Sequence, residues 1–174
     1  CGASAPDHMH LQAGMGSHLP VRDNWDMLYS NRQTLLVAQD GAELAALTNY
    51  ACPAFAIIAN NADTDSQLFE TLYQALPQRE DETEPMFNIL KWRHNNMFIT
   101  VIIPRDKHRP ACYSAEGDAQ MLISPGALDM GGLIITPRKE DFDRLDTPLL
   151  EALFKEVGMP QNTFEEVKQK VANP

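Results

Sequence analysis

Residues 87–105 read FNILKWRHNNMFITVIIPR, and this stretch decides the fold. We predict two strands in it, over residues 86–93 and 97–104. The Asn95-Asn96 pair between them suits a hairpin turn, because the central residues of such a turn need positive φ. The stretch therefore predicts an antiparallel pair of strands joined by a tight turn.

Further strands are predicted upstream of this hairpin. Residues 33–39 form an apolar run typical of a strand, and residues 42–47 fit a strand or a short turn. A second apolar run covers residues 50–59, where Pro53 favours an edge strand or a bulge. With the hairpin, these segments predict a sheet that occupies the first two thirds of the chain.

One long helix is predicted in the middle of the chain. Thr64-Asp65-Ser66-Gln67 is a capping box, and apolar residues then recur at helical spacing as far as Pro77. Near the C-terminus, Thr147-Pro148 begins a helix that Gly158 ends. A further capping box, starting at Thr163, predicts a terminal helix.

The remaining segments carry weaker signals. Residues 14–32 are predicted as a loop, and residues 119–124 and 133–136 as short strands. Because the strands are separated by only one long mid-chain helix, a doubly wound parallel sheet is disfavoured. We expect an α+β fold in which helices pack on one side of an antiparallel sheet.

Composition excludes several classes of partner. The chain has 174 residues, enough for one domain, and a formal net charge of −10. This charge argues against non-specific binding to nucleic acid or to anionic membranes, which prefer basic surfaces. No stretch approaches the roughly 20 apolar residues of a membrane span. Three cysteines do not suggest a disulfide framework, so we expect a cytoplasmic protein with free thiols.

The amino end carries the strongest chemical signal. Residues 1–14 read CGASAPDHMHLQAG. On a strand, alternate side chains share a face, so His8, His10 and Gln12 are predicted to line one face together. A neutral imidazole is a nucleophile that can hold a phosphoryl group covalently. The amide of Gln12 can hydrogen-bond a phosphate oxygen without supplying a proton.

The turn that precedes these residues offers further donors. The Ser4 hydroxyl and the backbone around Gly2 and Ala3 can stabilise charge on a phosphoryl group. The first motif, with Ser4, resembles the histidine-triad superfamily, specifically its transferase branch of nucleotide-sugar and dinucleoside-polyphosphate enzymes. The likeness to a bacterial family that shares residues 1–8 is greatest.

This resemblance implies a role for each residue. His10 would form the covalent nucleotidyl-enzyme, Gln12 would hold its phosphate, and His8 would orient the site. The stretches around Asn88 and Arg105 are similar to later strands of the dinucleoside polyphosphate phosphorylases, which implies that both residues bind substrate. The implied activity is transfer of a nucleoside monophosphate to phosphate or to a sugar phosphate.

The resemblance also implies how the chain is organised. It covers roughly residues 1–140, so we expect residues 1–145 to be the C-terminal portion of a histidine-triad-like nucleotidyltransferase domain that lacks its N-terminal strands. Residues 146–174 would be a helical extension. The expected partners are a nucleotide or nucleotide-sugar substrate, phosphate, and the N-terminal remainder of the same protein. A homodimer is a further expectation.

Three alternatives stay open. A hydrolase of the same superfamily would release the nucleotide to water, although Gln12 argues against it. A zinc module would use His8, His10 and His18 with Cys52 or Cys112. A non-catalytic module would bind a nucleotide without turnover. We assign no metal ligand, and a divalent cofactor, Mg²⁺ or Zn²⁺, stays open.

A basic run follows the hairpin. Residues 105–109 read RDKHR, and Arg105 is its strongest candidate for holding a phosphate. Lys91 and Arg93 would add to this patch if their strand faces the site. Asp129 stands before Gly131-Gly132, where we favour a backbone-shaping role for the glycines over catalysis by the acid.

Overall fold

A five-stranded antiparallel sheet forms the centre of the molecule. The structure is a computed structural model that describes residues 13–14 and 18–173. The strands, paired in the order β1-β2-β3-β5-β4, are β1 (Arg32–Val37), β2 (Glu43–Leu47), β3 (Phe55–Ala59), β4 (Phe87–His94) and β5 (Met97–Pro104). The predicted α+β class with an antiparallel sheet is confirmed.

The predicted hairpin is confirmed as well. Strands β4 and β5 pair from Phe87–Pro104 to His94–Met97. Asn95 and Asn96 join them with φ of 48° and 66°. Asparagine tolerates this left-handed region better than most residues, which explains why the turn forms at these two positions.

Helices alternate with and follow the strands. Among the described residues they are α1 (Pro20–Asp23), α2 (Trp25–Ser30), α3 (Ala62–Ala75), α4 (Ala127–Met130), α5 (Lys139–Arg144), α6 (Thr147–Val157) and α7 (Gln161–Ala172), with 3₁₀ turns at Ala111–Ser114 and Gly117–Ala119. Helix α3 begins before the predicted capping box, because the Asn61 side chain accepts a hydrogen bond from the Thr64 backbone N–H at 2.8 Å. Helix α6 matches its prediction and stops at Gly158.

Both faces of the sheet are buried. The two longest helices, α3 and α7, pack together on one face, where Leu72 and Phe164 meet Phe55 and Ile57 of β3. The opposite face is covered by shorter elements. The side chains that pack on this face come from α1, α2, α4 and α6, and they are Val21, Trp25, Leu28, Met130, Phe154 and Val157. The expectation of helices on one side of the sheet is thus corrected, because helices cover both faces.

Four local predictions were wrong. Residues 14–32 contain helices α1 and α2, because Val21, Trp25 and Leu28 recur at helical spacing and are buried. Pro53 precedes β3, which is the central strand and not an edge. Residues 119–124 and 133–136 form no strand. Met121 and Ile123 do alternate inward, but they pack on Leu153 of α6 and not beside another strand.

The structure also bears on membrane insertion. Within residues 13–14 and 18–173, the helices are too short or too polar to cross a lipid bilayer.

Candidate functional site

The sequence-predicted site falls into two groups in the structure. His8, His10, Gln12, Ser4, Gly2 and Ala3 lie outside the described residues. Their roles therefore stay predictions. Asn88 and Arg105 lie inside the described part, and the structure brings them together.

Arg105 follows the last residue of β5 and turns its side chain onto the sheet face that carries Asn88. Along β4 the side chains alternate, so Asn88 is buried while Lys91 and Arg93 are exposed on the opposite face. Lys91 pairs there with Asp65 of α3 at 2.5 Å. The expectation that Lys91 and Arg93 join the Arg105 patch is therefore wrong, because the period of two places them on the other side of the sheet.

All five N–H donors of the Arg105 guanidinium are used within the protein. Nη1 donates to the Asn88 Oδ1 at 2.6 Å and to the Pro125 carbonyl at 2.8 Å. Nη2 donates to the carbonyls of Lys107 at 3.0 Å and His108 at 3.1 Å. Nε donates to the Val157 carbonyl at 3.1 Å. The side chain thereby joins β4, the basic run, the segment before α4 and the end of α6.

The Arg105 charge is buried among neutral acceptors. The residue is 5% exposed, and its hydrogen bonds go to four carbonyls and one amide and not to a carboxylate. Burial lowers the pKa of Arg105 to about 10, which leaves it protonated at neutral pH. Carbonyl dipoles thus take the place of a counter-ion, and the site keeps a positive potential in an acidic chain.

The rest of the basic run is also held in place. Asp106 accepts from Arg79 at 2.9 Å. Lys107 lies 3.2 Å from Glu156 of α6, and Glu156 accepts in addition from the Ala111 backbone N–H at 2.9 Å. Lys107 and Arg109 are both exposed, and Lys107 is paired with Glu156.

Asp129 shapes the backbone near the hydrogen-bond network of Arg105. Its carboxylate is buried and accepts from the backbone N–H of Gly126 at 3.0 Å and of Ile135 at 2.8 Å. Gly132 has a φ of +100°, a conformation that favours glycine. The favoured backbone-shaping role of this segment is consistent with these contacts.

An apolar cavity of about 160 Å³ opens on the face covered by the short helices. The lining is mainly apolar and includes two asparagines, Asn24 and Asn49. The residues that line the cavity are Pro20, Val21, Asn24, Met27, Leu28, Asn49, Tyr50, Ala51, Met130, Gly131, Gly132 and Phe154. The Tyr50 hydroxyl donates to the Met130 carbonyl at 2.5 Å, and burial raises the pKa of Tyr50. Tyr50 therefore acts here as a neutral structural donor.

The structure places the cysteines of the zinc alternative in packed surroundings. Cys52 is buried in the core, and its burial raises the pKa of the thiol to about 12. Cys112 is half-buried, and burial raises its pKa as well. Zinc binds the thiolate, which such environments disfavour. Within the described ranges, no group of three histidine, cysteine or acidic residues is arranged to hold a metal ion.

Sequence reasoning missed two partners of the basic run. Ser124 accepts from Arg109, and the Pro125 carbonyl accepts from Arg105. The available signal was the Pro125-Gly126 break after an apolar run. That signal predicts the end of a strand, and nothing in it indicates a contact with residues 105–109.

Comparison with known proteins gives one finding. The family model described as "GDPGP1-like, C-terminal domain" matches residues 27–174. The match includes Asn88, Arg105 and the entire described sheet, and it begins after the residues 1–12 motif. No curated protein and no solved structure shows a significant match to the chain.

Proposed function

This chain belongs to the GDPGP1-like C-terminal domain family, and on that premise we propose that it works in nucleotidyl transfer of the phosphorylase type. The family points to a nucleotide-sugar phosphorylase. We place the chain in the transferase branch of the histidine-triad superfamily. Its substrate is a nucleoside diphosphate sugar or a dinucleoside polyphosphate.

The proposed reaction proceeds in two displacements. An imidazole nitrogen of His10 attacks the α-phosphorus, a P–N bond forms, and the P–O bond to the sugar phosphate or nucleotide breaks. Inorganic phosphate then attacks the same phosphorus, and the P–N bond breaks as the nucleoside diphosphate leaves. Two displacements of moderate barrier replace a single difficult one.

Other residues of the motif stabilise the phosphoryl group. Gln12 hydrogen-bonds its oxygens without offering a proton, and Ser4 with the backbone of Gly2 and Ala3 supplies donors. His8 positions the nucleophile.

One observation carries the proposal. A chain whose residues 27–174 match a GDPGP1-like domain also has His-x-His-x-Gln at residues 8–12, upstream of that match. The buried Asn88–Arg105 pair adds support, because it creates positive potential in a chain of net charge −10. An anionic substrate needs such a local reversal of charge.

The test is an intact-mass measurement on the full chain mixed with GDP-hexose, UDP-hexose and dinucleoside polyphosphate donors. We expect a gain of one nucleoside monophosphate, and its removal on addition of inorganic phosphate. His10→Ala should lose the adduct, and the matched control His94→Gln should keep it, because His94 lies at the β4–β5 turn and its side chain pairs with the exposed Asp26.

Two results would contradict the proposal. One is undiminished phosphorolysis by His10→Ala. The other is release of free nucleoside monophosphate at the same rate with and without phosphate, which would identify a hydrolase. Elemental analysis of the same sample addresses the zinc alternative, since a structural metal would copurify in stoichiometric amount.

A further inference from the structure

Arg109 has the geometry of a pre-oriented anion ligand. Its Nε donates to the Ser124 Oγ at 3.0 Å, and its guanidinium carbon lies 4.1 Å from the centroid of the Tyr113 ring. Within the described part of the chain, neither terminal nitrogen of Arg109 has a hydrogen-bond acceptor. The stacked ring and the serine thus fix the plane of the guanidinium and leave its outer edge open to solvent.

The backbone that carries this arginine is rigidly held. The 3₁₀ turn Ala111–Ser114 begins two residues after Arg109, and the Tyr113 N–H donates to the Pro110 carbonyl at 3.1 Å. This turn brings the Tyr113 ring back over Arg109. Glu156 accepts from the Ala111 backbone N–H and from Lys107, so it anchors both sides of Arg109 to α6.

Arg105 joins the two segments that meet at this point. It donates to the carbonyls of Lys107 and His108, just before Arg109. It also donates to the carbonyl of Pro125, just after Ser124. One buried side chain therefore sets the separation of the two backbones from which Arg109 and Ser124 project.

The surroundings of Arg109 are electropositive. The pKa of His108 is lowered by its burial and then by the charges of Arg109 and Arg105, which shows that both guanidinium groups act on the same point. Two acidic side chains of this region have cationic partners, since Asp106 pairs with Arg79 and Glu156 with Lys107. These pairings reduce the repulsion that an anion at the Arg109 edge would meet.

We propose that Arg109, Ser124 and the stacked Tyr113 form a binding site for a phosphate group. The open edge of the guanidinium can donate two parallel hydrogen bonds to phosphate oxygens. Since Ser124 already accepts from Arg109, its own hydroxyl proton is directed to a third oxygen. Arg105 is a positioning residue for this site and does not touch the ligand, because its five donors are used internally.

This inference deepens the proposed function, on which it rests for one point: phosphorolysis consumes phosphate, so phosphate is the anion we assign. The ligand is inorganic phosphate, a sugar phosphate or the diphosphate of a nucleotide. These share one chemistry, a tetrahedral oxyanion with two or more exposed oxygens. The separate arms of the test distinguish them.

The test is calorimetric titration of the full chain with inorganic phosphate, a hexose 1-phosphate and GDP. Arg109→Gln should weaken binding of at least one of them about tenfold to a hundredfold, the range expected for loss of charge-assisted hydrogen bonds. Arg109→Lys should recover only part of it, because an ammonium keeps the charge and loses the planar edge. Ser124→Ala should weaken binding by a few-fold.

The matched control is Arg93→Gln. Arg93 is also an exposed arginine stacked on an aromatic ring, with its guanidinium carbon 4.4 Å from the Phe98 centroid, but it lies on the opposite face of the sheet. Its replacement should change affinity by less than about twofold if the Arg109 contacts, and not net charge, drive binding. Equal weakening by Arg93→Gln and Arg109→Gln would overturn the proposal.

The remaining outcomes also decide the question. Wild-type affinity in Arg109→Gln, or no saturable binding of any of the three anions by the wild type, would overturn the site. The ligand that loses affinity identifies the source of the phosphate group. The nucleotidyl adduct is read by intact mass and phosphate binding by calorimetry, so failure of the covalent mechanism and failure of the phosphate site are separately visible.

Discussion

The Nη1 group of Arg105 donates to the side-chain carbonyl oxygen of Asn88 at 2.6 Å, and both residues are 5% exposed. The two residues belong to paired strands or their immediate extension, since β4 carries Asn88 and β5 ends at Pro104. A buried guanidinium here has neutral acceptors on all sides. This pair links the sheet to the two loops that carry the proposed phosphate-binding residues Arg109 and Ser124.

Replacing Arg105 should destabilise the fold. In Arg105→Met, the Asn88 amide and four carbonyls lose their donor, and each buried unsatisfied acceptor costs about 1–3 kcal/mol. Since water can reach some of these groups after the change, we expect a loss of about 3 kcal/mol in the free energy of unfolding, measured by urea denaturation. Arg109→Gln, the exposed member of the same run, should stay within about 0.5 kcal/mol. An unchanged urea midpoint in Arg105→Met would show that the five contacts contribute nothing.

Lowering the pH should remove the contribution of Asp141 to the stability of the folded protein. Arg138 donates to both of its carboxylate oxygens, at 2.8 and 2.9 Å, and these bonds hold the pKa of Asp141 below its usual value of 3.8. A carboxyl with a lowered pKa in the folded state stabilises the protein above its unfolded pKa, and this contribution is lost as pH falls through the folded value. The stability gap between wild type and Asp141→Asn should therefore be full at pH 7 and shrink below about pH 3.8.

The control for this pH series is Asp143→Asn. Asp143 lies on the same helix and makes an exposed pair with Lys139. Exposed ion pairs contribute little to stability, so the difference in unfolding free energy between Asp143→Asn and the wild type should be small from pH 7 to pH 2.5. A gap for Asp141→Asn that is equally wide at pH 7 and pH 2.5 would contradict the assigned role of Arg138.

The two described cysteines should differ in reactivity. Burial raises the pKa of Cys52 to about 12, so at pH 8 almost none of it is thiolate, and the side chain is also inaccessible. Cys112 is half-buried and should react faster with a thiol-specific disulfide reagent. Peptide mapping after timed labelling measures both rates. In guanidinium chloride the two should react alike, and prompt labelling of Cys52 in the native protein would contradict its burial.

Gly132→Ala should destabilise the packing of the short helices on the second face of the sheet. Gly132 has a φ of +100°, and an added Cβ would lie 2.7 Å from the Cβ of Pro20 at the start of α1. Strain and clash together should cost about 2–4 kcal/mol in the free energy of unfolding. Gly41→Ala is the matched control, with φ of +84° and open space around the new methyl group. It should show the conformational cost alone, about 1 kcal/mol, and equal losses in both variants would argue against a close contact at Pro20.

Local rules predicted the elements that depend on neighbouring residues. The Asn95-Asn96 turn, the helix before Pro77 and the stop at Gly158 follow from backbone preferences that act over a few positions. The same rules failed where packing decides. Residues 119–124 have a strand-like pattern, yet Met121 and Ile123 pack on Leu153 of α6 and not beside a strand.

In the candidate site, too, some features followed from the sequence and others only from tertiary packing. The resemblance to the dinucleoside polyphosphate phosphorylases implied a substrate role for Asn88, and the basic run was marked because an arginine fork suits phosphate oxygens. The sequence favoured Arg105 for a phosphate contact. In the structure Arg105 is saturated by protein acceptors and Arg109 presents the open edge. The roles of His8, His10 and Gln12 stay predictions.

The order of amino acids by itself determined the antiparallel sheet, its hairpin and the position of the basic run, because turn chemistry and apolar periodicity act within a few residues. Tertiary structure alone decided which arginine is buried. Three acceptors of Arg105 come from residues 88, 125 and 157, which are distant along the chain and meet it only when α6 and the segment before α4 close over the end of the sheet. That closure buries Arg105 and leaves Arg109 exposed, and no local sequence pattern contains that choice.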